Sequence, residues 1–290
     1  MNRKLIADAG STKTEWTLLG PDGAIEGHVI AEGLNALLAE KEQMAEAFAA
    51  ARASLGDAAP AEVFFYGAGC ATPAICEKTE EVLAATWGTE AVTAASDLLG
   101  AARALFGQEK GIACILGTGS NSCLYDGARI SVNVPSLGYI LGDEGSGAAL
   151  GKRLVSDAFK GHLPAPVREA FLAEYGLSLA DILDKVYRRR DANRFLASLV
   201  PFLHRHLWNP YVYSLVLEEL SQFVRRNVAM YPGAHSLPVS FIGSIAVEFE
   251  QVLREAAASQ GYRVSRIEKS PTAGLVAYHG GHTMTTTILP

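Results

Sequence analysis

Two stretches of this chain share one plan, and that repeat constrains the fold more than any other feature. Residues 5–23, LIADAGSTKTEWTLLGPDG, open as an apolar strand and cross a turn holding Asp8, Gly10, Ser11, Thr12, Lys13 and Thr14. They return as a strand and turn again at Gly20-Pro21-Asp22-Gly23. At residue 112 the plan starts again. Ile112–Leu116 is an apolar strand, Gly117-Thr118-Gly119-Ser120-Asn121 a small-polar glycine turn, Ser122–Tyr125 the returning strand, and Asp126-Gly127 a hairpin signal. The letters differ while the architecture repeats, an internal duplication in a chain whose 290 residues are long enough for one large domain or two ordinary ones.

The remaining pattern fills in both halves. Residues 25–31 add a third strand to an antiparallel meander, and apolar spacing predicts a helix over 36–55 with Asn35 as its cap. A buried strand at 63–66 ends in Gly67-Ala68-Gly69. A helix over 74–87, a strand at 91–95 and a helix over 98–106 follow. Beyond the second glycine turn come a glycine loop, Gly138–Gly147, with Asp143 and Glu144, and a helix to about 160. A mostly helical stretch spans 165–230. A strand at 238–242, the Gly243-Ser244 turn, a helix over 245–259, a strand near 263–267 and a short helix at 272–279 complete the chain.

Totals exclude several classes. Apolar residues make up 49% and charged residues 19%, the balance of a folded globular chain. The net charge of −6 opposes phosphate-backbone binding, so no nucleic-acid partner is expected. No apolar run approaches the length of a membrane span, and no signal peptide is read at 1–20, so the expected location is cytoplasmic. Cys70, Cys76, Cys114 and Cys123 form no C-x-x-C pair and read as buried, reduced thiols.

A glycine and hydroxyl turn between strands can aim backbone N–H groups at an anion. One such turn is also what an ordinary hairpin tip looks like. Two of them, each opening its own strand set, fit a pair of grips on a nucleotide's phosphates. Asp8 suits a magnesium ion held through water, and Lys13 suits either a phosphate oxygen or plain solvent. The Walker spacing G-x-x-x-x-G-K-[ST] is absent.

Asp8-Ala9-Gly10-Ser11-Thr12-Lys13-Thr14 resembles the first phosphate motif of the actin/Hsp70/sugar-kinase superfamily. Gly117–Asn121 resembles its second, and Val239–Ser244 its adenosine motif. More narrowly, AEGLN (31–35), ASDLLGAARALFG (95–107), ILGTGSN (115–121) and GDEGSGAALGK (142–152) resemble the BadF/BadG/BcrA/BcrD ATPase group, within it the N-acetylglucosamine kinase branch. The resemblance implies an α/β protein of two ribonuclease-H-like domains with a nucleotide and sugar cleft between them. The first domain would be 1–108 plus 271–290, and the second 109–270 with a helical insert at about 165–230. The implied activity is ATP-dependent phosphorylation of an amino sugar or hexose at O6, with ATP and Mg²⁺ as cofactors.

Roles carry over motif by motif. Asp97 would be the general base. Asp8, Gly10, Ser11, Thr12, Lys13, Gly117, Thr118 and Gly243 would bind the nucleotide, with Asp8 steering the metal through water. Asn35, Ser120, Asn121, Gly138 and Asp143 would bind the sugar. Competing structural roles exist: Asp97 and Asn35 as helix N-caps, and Asp143 and Glu144 as first-turn acids. Many family members carry Gly-Gly-Trp-Gly before GDEGS, where this chain has Pro135–Ile140. That leaves N-acetylglucosamine, glucosamine, N-acetylmuramic acid and glucose as acceptors. A homodimer is expected, with the helical insert as its surface. Two other functions compete: a dehydratase-activating ATPase, which needs cluster cysteines, and a non-catalytic sugar sensor.

Overall fold

The computed structural model describes residues 2–10, 12–56 and 59–281. Its contacts divide the chain into two units. The first holds the described residues of Met1–Lys110, Tyr125–Ile130 and Ser270–Pro290. The second holds Gly111–Leu124 and Ser131–Lys269.

In the first unit, β1 (Lys4–Ala9), β2 (Lys13–Leu19) and β3 (Ile25–Glu32) form the meander. After α1 (Lys41–Leu55) come β4 (Glu62–Gly67), α2 (Pro73–Trp87), β5 (Val92–Ser96) and α3 (Asp97–Phe106). The sheet runs β3-β2-β1-β4-β5. Its β1–β2 and β2–β3 pairs are antiparallel, and β1–β4 and β4–β5 are parallel. The second unit repeats this plan. It contains β6 (Gly111–Leu116), β7 (Ser120–Tyr125) and β8 (Ile130–Val134), whose end residues Tyr125 and Ile130 count with the first unit, then α4 (Gly138–Leu141) and α5 (Gly147–Lys160). A helical stretch follows: α6 (Ala165–Tyr175), α7 (Leu179–Tyr187), α8 (Ala192–Ala197), α9 (Val200–Arg205) and α10 (Pro210–Arg226). Then come β9 (Val239–Ile242), α11 (Ser244–Glu248), α12 (Glu250–Ala258) and β10 (Val264–Glu268). The chain returns to the first unit as α13 (Thr272–Gly280). The second sheet runs β10-β9-β6-β7-β8. Counted from its own first strand, that is the strand order of the first unit. The duplication read from two dissimilar turns is thus a duplication of topology.

Each sheet is held by its own core. Trp16 of β2 centres the first, with ring centroids 5.6 Å from Phe48, 5.8 Å from Trp87 and 6.1 Å from Phe65. Burying aromatic rings of this size dominates a core's transfer energy. In the second, Phe171, Phe202, Phe223, Phe241 and Phe249 lie in one cluster with Ile112, Cys114 and Leu116 of β6. The helical stretch therefore shares the sheet's core. All four cysteines are free; Cys70, Cys114 and Cys123 are buried and Cys76 is half-buried.

Three expectations need correction. The helix expected from residue 36 starts at Lys41, because Asn35 does not cap it. Asn35 Oδ1 accepts instead from Leu37 N at 3.1 Å, which closes a local turn and leaves Leu37 and Leu38 exposed. The helix expected over 245–259 breaks at the buried Phe249, whose φ of −113° and ψ of 30° leave the helical region. Asp143 and Glu144 are not first-turn acids: α5 is capped by Ser146, whose hydroxyl accepts from Ala149 N at 3.1 Å, and both acids precede it.

Helix α5 meets α8 at Gly151, where an added Cβ would lie 1.9 Å from the Leu196 carbonyl oxygen. Alanine is the better helix former by about 1 kcal/mol, but overpacking of this kind costs about 1–3 kcal/mol and more where backbone must move. Gly151→Ala should therefore lower the melting temperature. A variant that melts at or above the wild type would contradict this packing.

Candidate active site

Parallel strands end with their peptide groups unpaired, and such ends are where α/β proteins place ligands. In the first unit, β1, β4 and β5 end side by side. Asp8 pairs in register with Tyr66, Ala9 with Gly67, and Gly67 with Ser96. Asp8 and Asp97 thus occupy ends of the same parallel set. Burial pushes the Asp8 carboxyl up to about 7; the charges of Asp97 and Glu15 add to this and Lys13 opposes it. Burial also raises Asp97, against the hydrogen bonds it accepts from the backbone N–H groups of Leu98 and its own residue. The structural competitor for Asp97 fails on geometry. Ser96 is the N-cap of α3, its hydroxyl accepting from Leu99 N at 3.2 Å, and Asp97 is the first helical residue. The half-buried Asp97 carboxyl accepts from Leu98 N at 2.9 Å as a first-turn acid, and it is not the cap of α3.

The β1–β2 turn is closed by Gly10 N donating to Lys13 O at 2.9 Å. Gly33 backs onto it, its N–H donating to Thr12 O at 3.1 Å, so close that a Cβ there would lie 2.5 Å from Thr12 backbone. Asn35 lies two residues further on. A Cβ at Gly69 would come within 2.3 Å of Asn35 Oδ1, so the end of β4 cradles that side chain. Ser11 lies outside the described residues. The Lys13 ammonium is paired with Glu15.

In the second unit, Gly117 N donates to Gly119 O at 3.0 Å and forms the β6–β7 turn. Gly147 N and Ala148 N, at the start of α5, donate to Gly117 O and Thr118 O at 2.8 and 3.0 Å. Asp143 folds over this turn with φ at 57°, a left-handed conformation that costs a non-glycine residue about 1 kcal/mol or more. Its carboxyl accepts from Ser120 N, and burial pushes it up to about 6. A Cβ at Gly119 would stand 2.9 Å from Asp143 Oδ2, so glycine is what admits the carboxylate there. Ser120 Oγ donates to Glu144 O at 2.9 Å, and Asn121 Oδ1 accepts from Ser122 N at 2.9 Å. Glu144 is paired with Arg226 at 2.7 Å, which ties the loop to α10. Gly243 has φ at 128°, and a Cβ there would sit 2.1 Å from Leu116 O. The end of β9 thereby presses its backbone against the end of β6. Gly138 opens α4, exposed and five residues ahead of Asp143.

The proposed residues therefore fall into two groups, one in each unit. Asp8, Gly10, Thr12, Lys13, Asn35 and Asp97 gather at the first sheet's strand ends, and Gly117, Thr118, Ser120, Asn121, Asp143 and Gly243 at the second's. One residue of this neighbourhood escaped the sequence reading. Glu15 is a carboxylate 7% exposed in β2, a strand that also carries Lys13, Thr14 and Thr17, so no mismatch of local pattern marks it. Among the described residues no group of three His, Cys, Asp or Glu side chains could cage a metal. Hydrated Mg²⁺ needs no cage; it is held through one or two hard carboxylate oxygens. Asp8, crowded by other acids, fits that demand.

These raised carboxyls carry a pH signature. Native Asp8 and Asp143 hold protons up to about pH 7 and 6, whereas unfolded aspartates lose theirs near 3.8. The native state then binds more protons across that window, so this contribution to stability is full below it and lost as pH rises through the native values. Asp8→Asn, which cannot ionise, should gain in melting temperature relative to wild type on going from pH 5 to pH 8. A difference that stays constant with pH would contradict the burial of this group.

No family model matches the chain, and no curated protein does. Solved structures do. The "Putative N-acetylglucosamine Kinase" of Porphyromonas gingivalis is 44% identical with a TM-score of 0.92, covering 96% of this chain and 98% of that one. The protein of the same description from Chromobacterium violaceum is 22% identical with a TM-score of 0.75, covering 96% and 99%. A ROK family glucokinase from Streptomyces griseus, solved with glucose and AMPPNP, is 15% identical with a TM-score of 0.55, covering 95% and 97%. The latter two show a shared fold. The first shows more: the chain belongs to the family of the Porphyromonas gingivalis protein and has the two-domain, actin-like ATPase fold of sugar kinases.

Proposed function

We propose that the protein is an ATP-dependent sugar kinase, with an amino sugar as acceptor and O6 of N-acetylglucosamine as the favoured hydroxyl. The observation that carries this reading is Asp97: a half-buried carboxyl just past a parallel strand end, relieved of capping by Ser96 and near enough to Asp8 for its charge to raise that carboxyl. The printed description of the 44% identical Porphyromonas gingivalis protein supports the substrate class.

In this reading the first unit supplies Asn35 to the sugar and Asp97 to its attacking hydroxyl. The hydroxyl proton passes to the Asp97 carboxylate, the oxygen bonds to the γ-phosphorus, and the bond to the bridging oxygen breaks to release ADP. A carboxyl raised by burial is a better proton acceptor than an ordinary aspartate, provided it is ionised when the sugar binds. Thr12 and Thr118, with the N–H groups of the two turns, would hold the phosphates, which is most of what phosphoryl transfer asks of a protein. Mg²⁺, when bound beside Asp8, would neutralise phosphate charge. Gly243 would let adenosine approach the backbone. Ser120, Asn121, Gly138 and Asp143 would take sugar hydroxyls or the N-acetyl group. The dehydratase-activator reading gains nothing from the cysteines, which are four free thiols, two of them within strands of one sheet.

ADP release measured over a panel of sugars tests the activity. N-acetylglucosamine should raise it above the no-sugar background, and a panel in which no sugar does so would overturn the reading. Asp97→Asn separates roles, because Ser96 keeps the cap in either protein. Turnover should fall by roughly 10²–10⁴, the usual worth of a positioned base, with little change in melting temperature. Near-normal turnover would remove Asp97 from the chemistry.

A further inference from the structure

Side chains two apart on a strand share a face, and residues opposite each other on antiparallel strands share it too. Lys13 and Glu15 of β2 are two apart, and Glu15 stands directly opposite Asp8 of β1. The fold thus sets two carboxylates side by side with the Lys13 ammonium beside them. Glu15 is nearly inaccessible, yet donors hold its carboxyl below the ordinary range despite burial. Its Oε1 takes the Lys13 ammonium. Its Oε2 takes the Ser270 hydroxyl at 3.0 Å and the Thr272 hydroxyl, the two residues where the chain re-enters the first unit as α13. Lys13 itself is half exposed, so its ammonium has donors to spare on the open side of the turn.

We propose that Glu15 is a positioning residue that anchors the Lys13 ammonium at the β1–β2 turn and cancels most of its charge, setting how tightly the turn holds a nucleotide's phosphates. This rests on the nucleotide reading above and deepens it. A phosphate turn with an uncancelled lysine binds polyanions strongly in both substrate and product. With Glu15 behind it, the lysine directs donors at the anion while the pair contributes little net charge. Grip on ADP is thereby moderated, and product can leave.

Calorimetric titration of ADP into the full chain tests this without relying on turnover. Glu15→Gln keeps an acceptor for Ser270 and Thr272 but removes the charge. It should tighten ADP binding by about 3–10-fold, the scale of one partly screened charge, and steepen its salt dependence. Lys13→Met should cost less than about 3-fold in the wild-type background, where its charge is already cancelled, and about 10-fold or more beside Glu15→Gln. That non-additivity is a readout a purely structural glutamate would not move. The Lys13→Met arm stands even if Glu15→Gln does not fold, because Lys13 is exposed. Unchanged or weaker ADP binding in Glu15→Gln, additive effects, or a loss beyond about 10-fold for Lys13→Met alone would each overturn the proposal. A wild-type protein that binds no ADP overturns the nucleotide reading along with it. Wild-type binding with indistinguishable variants overturns this proposal alone.

Discussion

The first unit is arranged around three partly desolvated carboxyl groups, two raised by burial and one held down by its donors. Asp8 and Glu15 stand opposite each other on β1 and β2, Asp97 follows the end of β5, and burial costs each of them solvation. A fold optimised for stability alone would place apolar groups here, since unpaired buried charge is among the most destabilising features a protein can carry. Local order compensates in part. Lys13, Ser270 and Thr272 satisfy Glu15, and backbone N–H groups satisfy Asp97. Asp8 is left at about 7, poised between charged and neutral. Groups held in that condition at the open ends of parallel strands are what proton transfer and cation binding require.

The second unit answers with geometry rather than charge. Its β6–β7 turn is held by N–H groups of α5 and pressed by Gly243 from β9. Asp143 reaches it through a left-handed backbone, over a glycine that leaves room for the carboxylate. Each of these close approaches excludes a side chain from the turn. The surface so formed is mostly backbone, the kind that can approach an anionic or planar ligand closely.

Much of this was legible in the sequence, for identifiable reasons. The two strand–turn–strand repeats announced the duplicated sheets because strand pattern and glycine turns are local signals. Asp97 and Asp143 were singled out by the resemblance of ASDLLGAARALFG and GDEGSGAALGK to family motifs, not by local pattern alone. What was hidden depended on competition between neighbours. Asn35 and Ser96 are both good caps by type. Only the fold shows that Asn35 bonds to Leu37 in a turn, whereas Ser96 caps α3 and frees Asp97. Leu37 and Leu38 match helical apolar spacing yet end exposed, because the turn at Asn35 removes them from the helix. Glu15 was hidden because its partners Ser270 and Thr272 lie some 255 residues away. No local pattern reports a contact of that range.

In the proposed function, the β1–β2 turn of the first unit and the β6–β7 turn of the second each hold phosphate when nucleotide is bound. Amide hydrogen exchange measured with and without AMPPNP, Mg²⁺ and N-acetylglucosamine tests it most directly. Exchange should slow in both turns together, including at the amides of Gly10, Thr12, Thr118 and Gly119. Protection confined to one turn, or nucleotide-dependent protection elsewhere with both turns unchanged, would contradict it.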